Sequence, residues 1–539
     1  MKAAIGAGVD FGLDASVSAL LNRKFNPMQS AVSCVFSNVL TVSIADPVDA
    51  ASGFYMIHAT DFILASLPSA LKLERTYFSA GGEMSLFGYG WSFPLGSQIY
   101  CDAREYARIH MTAITGHSLM FEKEEGKWVN KLKGCERFSM EEDPMAGLFL
   151  LTDVADHTVC VYGFDGRLQK VEYPNRQFLT FSYDQGQLSR ITTPLGNHLD
   201  IVCRDGKILQ ITDEIGRRLQ YRYEGDFLTE VVHTDEGITH YEYDSEGHVL
   251  SATNENGTRY VENEYDGKGR VVRQTLPDGT TQRFEYDDRK RRNTILFGDS
   301  GRKEVYEYND QLLVTRIIYG DGTSVSYEYS DQNHRIGETS RNGYRTSRVY
   351  DNYGRLIGEA KPDGYESHQE YDESHDLVRV WDTDGRETVN TYDNSHNLLI
   401  SREKIGEDRW KETRYQYDEK GRCVLTRDAL GNETVKQFAP NQAYPSLVTT
   451  PEGEETAYEY DQVGRRMAVS NTYGNVHLSY NSRNFVTKRT DGEGNVSRWF
   501  YSRMGNLVSY YPAGYWEEKK EGYTFLYNLQ ERRVDTISP

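Results

Sequence analysis

The chain has 539 residues, of which 38% are hydrophobic and 26% charged, and its mean hydropathy is −0.67. This composition excludes a polytopic membrane protein and wholesale disorder. The net charge of −20 argues against a nucleic-acid partner, because an acidic surface repels phosphate backbones. Tyr (39) and Gly (47) are abundant and Pro (14) is scarce, which favours many short β-strands joined by tight turns.

Residues 1–45 are predicted to form a short helical or linker segment. Asp10 and Asp14 interrupt the small-residue stretch that begins the chain, so it lacks the apolar core of a Sec signal peptide. The most apolar window, residues 31–45, is too short and too polar to span a bilayer. We therefore expect no membrane span, no Sec-dependent export and a cytoplasmic location.

The chain then divides into a small, mostly-β domain, residues 46–160, and a tandem-repeat array, residues 161–539. In the array a Tyr-Asp pair, or a degenerate copy of it, recurs about every 21 residues in about 17 repeats. A second series of glycines lies near the middle of each repeat, as at Gly279 and Gly364. The residues that define the repeat most clearly are Tyr183, Asp184, Tyr265, Asp266, Gly269, Tyr350, Asp351, Gly354, Arg355, Tyr371, Asp372, Tyr417, Asp418, Gly421, Tyr460, Asp461 and Gly464.

The best copies read Tyr-Asp-x-x-Gly-Arg, as from Tyr350 to Arg355. Gly supplies the positive φ of a tight turn, and the Asp side chain bonds to the backbone two residues later. Because the mid-repeat glycine marks a second turn, each repeat is predicted to be two short strands. About 35 strands exceed what an open twisted sheet tolerates. The predicted fold class is therefore all-β, with a sheet that curls or coils as a β-solenoid or a spiralling wall.

The sequence shows no enzyme site, and we expect neither catalysis nor a cofactor. The 13 histidines form no HExxH pair, and neither a GxSxG elbow nor a phosphate-binding glycine loop occurs. His375 and His396 occupy the glycine position of two repeats, where a turn role is favoured. Calcium-binding repeats have a nine-residue period, so the repeat aspartates are assigned to turns. The repeat tyrosines are expected to pack as cross-strand neighbours rather than to stack on sugars.

Tyr-Asp-x-x-Gly-Arg-Leu with this period resembles the YD repeat of the Rhs family, which also occurs in insecticidal toxin complexes and in teneurins. Residues 350–356, for example, read YDNYGRL. The segment before the array resembles the domain that precedes the repeats in Rhs proteins of type VI secretion systems, and this favours Rhs over teneurins. The residues that carry this second resemblance are Asp46, Pro47, Val48, Arg75, Tyr77, Gly90 and Trp91.

The resemblance implies a hollow β-cage that encloses a C-terminal toxin used in interbacterial competition. It implies toxin cargo or the remaining Rhs core as partners, with a VgrG/PAAR spike and an immunity protein as further candidates. We find no PAAR-like domain, autoprotease motif or toxin, and Pro539 falls within a repeat. We therefore expect a truncated or split copy of the cage, delivered by a type VI system, whose last strands lack partners.

Two other function classes remain as alternatives. The first is a secreted or surface adhesin whose repeats bind carbohydrate, although the lack of a Sec signal argues against it. The second is a hydrolase, which would need a constellation of catalytic residues that the sequence does not show. The structural shell is therefore the leading interpretation.

Overall fold

The computed structural model describes residues 43–44, 47–64, 71–80, 84–101 and 108–538. Within these ranges the chain consists of strands and their connections, apart from one short 3-10 helix at Pro94–Gly96. In the same ranges no helix is long and apolar enough to cross a membrane. Asp46 and nearly all of the predicted segment 1–45 lie outside the described residues.

The described residues up to 130, which we call the leading domain, form eleven short strands. These are β1 Ser43–Ile44, β2 Val48–Asp49, β3 Met56–Leu64, β4 Leu71–Phe78, β5 Met84–Ser85, β6 Gly88–Tyr89, β7 Trp91–Ser92, β8 Ile99–Cys101, β9 Arg108–Thr112, β10 Ser118–Glu124 and β11 Lys127–Asn130. They pair in small sheets in the orders β1-β2, β3-β4-β7, β5-β6 and β11-β10-β9-β8.

The rest of the described chain is one sheet of 38 strands in sequence order, each antiparallel to the next. The first eighteen are β12 Phe138–Asp143, β13 Leu148–Asp153, β14 Thr158–Gly163, β15 Leu168–Glu172, β16 Phe178–Asp184, β17 Gln187–Thr192, β18 His198–Arg204, β19 Lys207–Asp213, β20 Arg218–Glu224, β21 Phe227–Val232, β22 Ile238–Tyr243, β23 Val249–Thr253, β24 Arg259–Tyr265, β25 Val271–Thr275, β26 Thr281–Asp287, β27 Arg292–Phe297, β28 Arg302–Tyr308 and β29 Val314–Ile318.

The other twenty strands continue the same order. They are β30 Ser324–Tyr329, β31 Arg335–Thr339, β32 Arg345–Tyr350, β33 Leu356–Ala360, β34 Glu366–Tyr371, β35 Leu377–Asp382, β36 Glu387–Tyr392, β37 Leu398–Gly406, β38 Arg409–Tyr417, β39 Cys423–Arg427, β40 Glu433–Gln437, β41 Leu447–Thr449, β42 Glu455–Tyr460, β43 Arg466–Asn471, β44 Gly474–Tyr480, β45 Val486–Thr490, β46 Val496–Tyr501, β47 Leu507–Tyr511, β48 Tyr523–Tyr527 and β49 Arg533–Ile537. The predicted start of the array at residue 161 falls within β14.

A β-bulge recurs at the anchor tyrosine of most repeats. Between β32 and β33, for example, Tyr350 pairs with Leu356 while Val349 pairs with Gly358, so one residue of β33 has no partner. The same shift occurs before Tyr183 and Tyr460, whereas the register is regular at Tyr286. Because a bulge bends a strand pair and increases its twist, regular bulges make a long sheet coil.

The main core lies between the leading domain and the first half of the sheet. Buried residues of the leading domain, among them Tyr77 and Trp91, share one cluster with Ile211 and Tyr241 of the sheet. From β30 onward most strand residues are half-buried on both faces. Few residues of this part are fully buried, among them Val463 in a turn and Ala468 in β43. The predicted fold class, a coiled all-β array preceded by a small mostly-β domain, is confirmed.

Hairpin turns from distant parts of the sheet meet where it coils on itself. Each repeat has one turn at its Tyr-Asp pair, the Tyr-Asp turn, and one at the opposite strand ends, the mid-repeat turn. Asn197 Nδ2 donates to the Gln462 carbonyl at 2.7 Å, and Asn256 Nδ2 to Glu531 Oε1 at 3.0 Å. These partners are 265 and 275 residues apart in sequence. Mid-repeat turns within residues 153–258, which we call the first coil, thus contact Tyr-Asp turns within residues 372–532, the second coil. We call the line of these contacts the seam.

Candidate functional site: the Tyr-Asp turns as docking edges

Each Tyr-Asp turn is closed by its own aspartate. In the turn between β38 and β39, Asp418 Oδ1 accepts hydrogen bonds from the backbone N–H groups of Lys420 and Arg422, both at 2.9 Å. Asp418 Oδ2 accepts a third from Arg422 Nε at 2.7 Å. Burial acts to raise the pKa of Asp418, but the bonds from Arg422 outweigh it and hold the pKa below its ordinary value. The carboxylate is therefore engaged by the turn itself.

The same arrangement recurs in three other copies. Arginine Nε donates to aspartate Oδ2 at 2.6–2.8 Å from Arg270 to Asp266, from Arg355 to Asp351 and from Arg465 to Asp461. The turn glycines Gly269, Gly354 and Gly464 have φ between +72° and +81°. These turns are therefore built alike, from local bonds.

Two of the predicted anchor pairs depart from this geometry. Asp372 Oδ1 accepts the backbone N–H of Asp376 at 2.9 Å. Asp376 itself occupies the position that arginine has in the other copies, so no arginine bonds to Asp372 from there. Asp184 is exposed and adjoins a two-residue hairpin turn, in which Gln185 and Gly186 both have positive φ. The repeat tolerates such changes because strand pairing continues on both sides.

The anchor tyrosines tie each repeat to the one before it. The Tyr350 hydroxyl donates to the Arg335 carbonyl, 3.1 Å away in the preceding repeat. Bonds of 2.7–3.3 Å run in the same way from Tyr183 to Leu168, Tyr265 to Val249, Tyr417 to Leu398 and Tyr460 to Pro445. The Tyr371 hydroxyl donates to Gln369 Oε1 at 3.0 Å. Burial raises the pKa of Tyr183 to about 12, so its hydroxyl stays a donor.

A planar side chain after the turn glycine covers the next anchor tyrosine. The Arg355 guanidinium lies 4.0 Å from the ring centroid of Tyr371, within cation–π range. Where the repeat has histidine instead, as at His334, the imidazole stacks on Tyr350 with centroids 4.9 Å apart. The arginine of the motif therefore closes its own turn and also packs on the following repeat.

The leading domain docks on Tyr-Asp turns of the first coil. The Tyr77 hydroxyl donates to the Gly247 carbonyl at 2.9 Å and accepts the Val249 N–H at 3.0 Å. The Ile99 N–H donates to the Gly166 carbonyl at 2.9 Å. A Cβ at position 166 would lie 2.3 Å from the Ile99 carbonyl oxygen, so only glycine permits this approach.

A buried ion pair lies at the centre of this docking surface. Arg75 Nε donates to Asp61 Oδ2 at 2.6 Å, and the two side chains are 1% and 2% exposed. Burial acts against the charged guanidinium, but Asp61 outweighs it and raises the pKa of Arg75. Arg75 also donates to the Tyr241 hydroxyl at 3.2 Å and lies 4.3 Å from the Trp91 ring centroid. Trp91 Nε1 in turn donates to the Tyr243 hydroxyl at 3.0 Å.

The other predicted motif residues shape the leading domain itself. Val48 is fully buried, and the Pro47 carbonyl accepts the Met56 N–H at 2.9 Å. Gly90 has φ +76°, and a Cβ there would lie 2.9 Å from the ring of Tyr77. The motif therefore combines residues that contact the repeats with residues that hold those contacts in place.

The seam residues were missed by sequence reasoning. Gln177 Nε2 donates to the Lys420 carbonyl at 2.9 Å, and Arg483 donates to Asp235 at 2.9 Å and to Glu255 at 3.2 Å. Only the turn before Gln177 had a local sequence signal, the dipeptide Pro174-Asn175. In the structure residues 175 and 176 both have positive φ. The contacts themselves join residues 228–248 positions apart, which no repeat period indicates.

Within the parts of the chain that the structure describes, one group of ligand-type side chains is close enough to hold a metal ion. It consists of His157, Asp376 and His396, whose ligand atoms all lie within 4.8 Å of one another. His396 and its neighbour His375 have φ of +60° and +68°, as their position in turns requires. This group lies where the first coil meets the second.

Known families match three segments of the chain. Residues 45–121 match a domain of unknown function, DUF6531; residues 151–261 match the teneurin YD-shell; residues 265–297 match the RHS repeat. Both repeat models therefore agree with the YD repeat, although one of them is described from teneurins. No curated protein matches the sequence.

One solved structure of a Tc toxin component shares the fold, and a second is a weaker match. The crystal structure of TcdB2-TccC3 without its hypervariable C-terminal region is 12% identical, with a TM-score of 0.52 over 87% of this chain. The TcdB2-TccC3-Cdc42 structure is 12% identical over 89% of this chain and 30% of its own, with a TM-score of 0.45. The chain spans 27% of the length of the first of these. The family models thus identify YD-shell and RHS-repeat sequence within residues 151–297, and the TcdB2-TccC3 structure without its hypervariable region shows the same fold.

Proposed function

We propose that this chain is a non-enzymatic part of the shell of an Rhs-type toxin-delivery protein, whose coiled sheet encloses a toxin. The observation that carries the proposal is a single 38-stranded sheet that meets itself along the seam. The leading domain covers one face of its first half through the buried pair of Arg75 and Asp61. From β30 onward the wall has few fully buried side chains, so a face remains for cargo.

A protection experiment tests enclosure. This chain would carry an affinity tag and be expressed with the coding sequence that follows it at its native locus. We expect a second polypeptide to co-purify and to resist a protease that digests it when it is alone. Absence of a co-purifying polypeptide, or equal digestion of bound and isolated polypeptide, would contradict the proposal.

A pair of glycine variants provides the control. A Cβ at position 421 would lie 1.8 Å from the Asn175 carbonyl oxygen across the seam, whereas one at position 431 would meet nothing within 4 Å. Gly421→Ala should therefore open the seam and restore digestion of the cargo. Gly431→Ala carries the same backbone strain, with φ +87°, and should leave the cargo protected.

The delivery route is a finer part of the same proposal. The resemblance of the motif around Arg75, Tyr77 and Trp91 to Rhs proteins of type VI systems supports a protein that is cytoplasmic before delivery. It also supports docking to a VgrG/PAAR spike and neutralisation of the toxin by an immunity protein. Two experiments test this route. The tagged chain should pull down VgrG from the source bacterium, and the chain should appear in culture supernatants of the wild type but not of a type VI mutant.

The adhesin alternative has less support from the geometry. Anchor tyrosines such as Tyr350 and Tyr417 donate their hydroxyls to carbonyls within the wall, so these groups are engaged in the fold. A glycan array with the purified protein separates the two functions. Robust saccharide binding would favour the adhesin over the shell.

A further inference from the structure

Three ligand-type side chains from two coils meet at one point of the contact between them. His157 lies in the turn between β13 and β14, Asp376 precedes β35, and His396 lies in the turn between β36 and β37. His157 Nε2 is 3.2 Å from Asp376 Oδ1, and His396 Nδ1 is 3.0 Å from Asp376 Oδ2. The two imidazole rings stack with centroids 3.9 Å apart and planes 18° apart. Two histidines thus share one carboxylate.

The group is well enclosed and its members are held by neighbouring bonds. The side chain of Asp376 is 6% exposed and that of His157 is 9% exposed, while His396 is 28% exposed. The Asp376 N–H donates to Asp372 Oδ1 at 2.9 Å, and this bond fixes Asp376 in its turn. Asp376 is therefore held in place, whereas the two stacked imidazoles must turn apart for both ring nitrogens to reach one ion, because a nitrogen lone pair lies in its ring plane. The partly exposed His396 marks the side where an ion and water would enter.

The sequence departs from the repeat motif at the two turns that build this site. The best copies have Gly-Arg after the Tyr-Asp pair, and the arginine binds the aspartate. Two consecutive repeats instead have His375-Asp376 and His396-Asn397, and neither has an arginine there. These two repeats supply the ligands that face His157. Replacing Gly-Arg by His375-Asp376 and His396-Asn397 thus introduces metal-ligating residue types. Strand pairing does not require these replacements.

We propose that His157, Asp376 and His396 bind a divalent transition-metal ion of the zinc class, which joins the first coil to the second. Histidine nitrogen and carboxylate oxygen are ordinary zinc ligands. With bonds of about 2.0–2.2 Å, the donor atoms around a tetrahedral ion lie about 3.3 Å apart. The His157–Asp376 and His396–Asp376 separations of 3.2 and 3.0 Å are close to that value.

Three protein ligands leave a fourth position for water, and the role we assign is structural. The ion would bridge residues roughly 220 positions apart in sequence, and such long loops gain most from a cross-link. The proposal is independent of any cargo, because it concerns only how one coil is held on the next.

Metal titration tests the proposal directly. Tag-free full chain, stripped with a chelator, would be titrated with zinc chloride by calorimetry, and its thermal unfolding would be recorded with and without zinc. We expect one ion per chain and a rise in Tm. Cobalt(II) should give the visible absorption of a tetrahedral site. His157→Ala and Asp376→Asn should each weaken binding at least tenfold and remove the cobalt absorption.

The matched control is His334→Gln. His334 Nε2 lies 3.3 Å from Glu136 Oε2, so it too is a histidine that meets a carboxylate of a distant segment. Among the residues that the structure describes, no second histidine forms a metal-ligand group with this pair. This variant should retain one tetrahedral cobalt site. Circular dichroism in zinc-free buffer identifies any variant that fails to fold; His396→Gln then serves as the replacement. Absence of stoichiometric binding by wild type, or unchanged binding in Asp376→Asn, would overturn the proposal.

Discussion

The Asn175 carbonyl oxygen approaches Gly421 so closely that a Cβ at position 421 would lie 1.8 Å from it. Gly421 lies in a Tyr-Asp turn of the second coil, and Asn175 lies in a mid-repeat turn of the first. A glycine that serves the local turn therefore also permits contact between coils. Because backbone lies on both sides, a side chain here cannot be accommodated by a rotamer change.

We expect Gly421→Ala to destabilise the protein more than Gly431→Ala does. The positive φ alone costs alanine about 1–2 kcal/mol at either position. At position 421 the clash with Asn175 adds about 1–3 kcal/mol, by analogy with overpacked sites. Chemical denaturation and limited proteolysis measure the difference. Equal effects of the two substitutions would show that the turn does not dock on Asn175.

The anchor hydroxyl should contribute a smaller, local stabilisation. Tyr350→Phe removes the 3.1 Å bond to the Arg335 carbonyl, and we expect a loss of about 1 kcal/mol in the free energy of unfolding. Tyr344→Phe, in the same repeat, is the control, because Tyr344 is 63% exposed. It should change stability little. A larger loss at position 344 than at 350 would contradict the role of the anchor hydroxyl.

The buried ion pair of the leading domain should be among the most sensitive sites. Arg75→Ala leaves the Asp61 carboxyl, which is 2% exposed, without its main partner, which costs about 3–5 kcal/mol. Arg108→Ala breaks an ion pair with Glu122 in the same domain, where the side chains are 53% and 31% exposed. That control should cost less than about 1 kcal/mol. Thermal unfolding of both variants checks the ranking, and similar shifts would refute it.

The repeat and its strands could be predicted from sequence because every contact that makes them is local. Asp418 and Arg422 are four residues apart, and the Tyr350 hydroxyl reaches only fifteen residues back. The seam could not be predicted. Gln177 and Lys420 are 243 residues apart, and which turns meet depends on how many strands make one coil. That number depends on small bends added at each bulge, which the repeat period does not specify.

The leading-domain motif shows the same limit. The resemblance to Rhs proteins identified Arg75, Tyr77 and Trp91 as a group, but their partners lie in the array. Asp61, by contrast, is a partner of Arg75 that lies within the leading domain. It is on strand β3, next to the strand of Arg75, and forms an ion pair with it. Side-chain roles that need a second domain were therefore visible only in the structure.

A buried histidine should make the leading domain sensitive to acid. His117 is 5% exposed, and burial, assisted by Arg137, lowers its pKa to about 3. In the unfolded chain its pKa is about 6.5, so below that pH the unfolded state takes up a proton that the folded state refuses. Stability from this group is therefore full above pH 6.5 and falls as the pH drops towards 3.

We expect His117→Asn to flatten this dependence. Asn keeps a polar group for Thr115, which lies 2.9 Å from His117 Nδ1, but it does not titrate. Between pH 7 and pH 5 the wild type should lose about 2 kcal/mol that the variant retains. Denaturant titrations at both values measure the difference. Parallel losses in the two proteins would show that His117 is not the group responsible.

The last prediction concerns how the seam is held by charge. Arg483, in a Tyr-Asp turn of the second coil, donates to Asp235 at 2.9 Å and to Glu255 at 3.2 Å in two mid-repeat turns of the first. Its side chain is 17% exposed and that of Glu255 is 8% exposed. Arg483→Ala should cost about 2 kcal/mol, because two carboxylates lose a charged donor and Glu255 stays buried.

Hydrogen exchange locates this effect. In Arg483→Ala the turns at residues 233–237 and 254–258 should lose protection first, while strands away from the seam keep theirs. Arg289→Ala is the control, since Arg289 is an exposed arginine in the Tyr-Asp turn between β26 and β27. It should leave both turns protected. Uniform loss of protection across the sheet would indicate global unfolding instead, and would mean that Arg483 does not act through the seam.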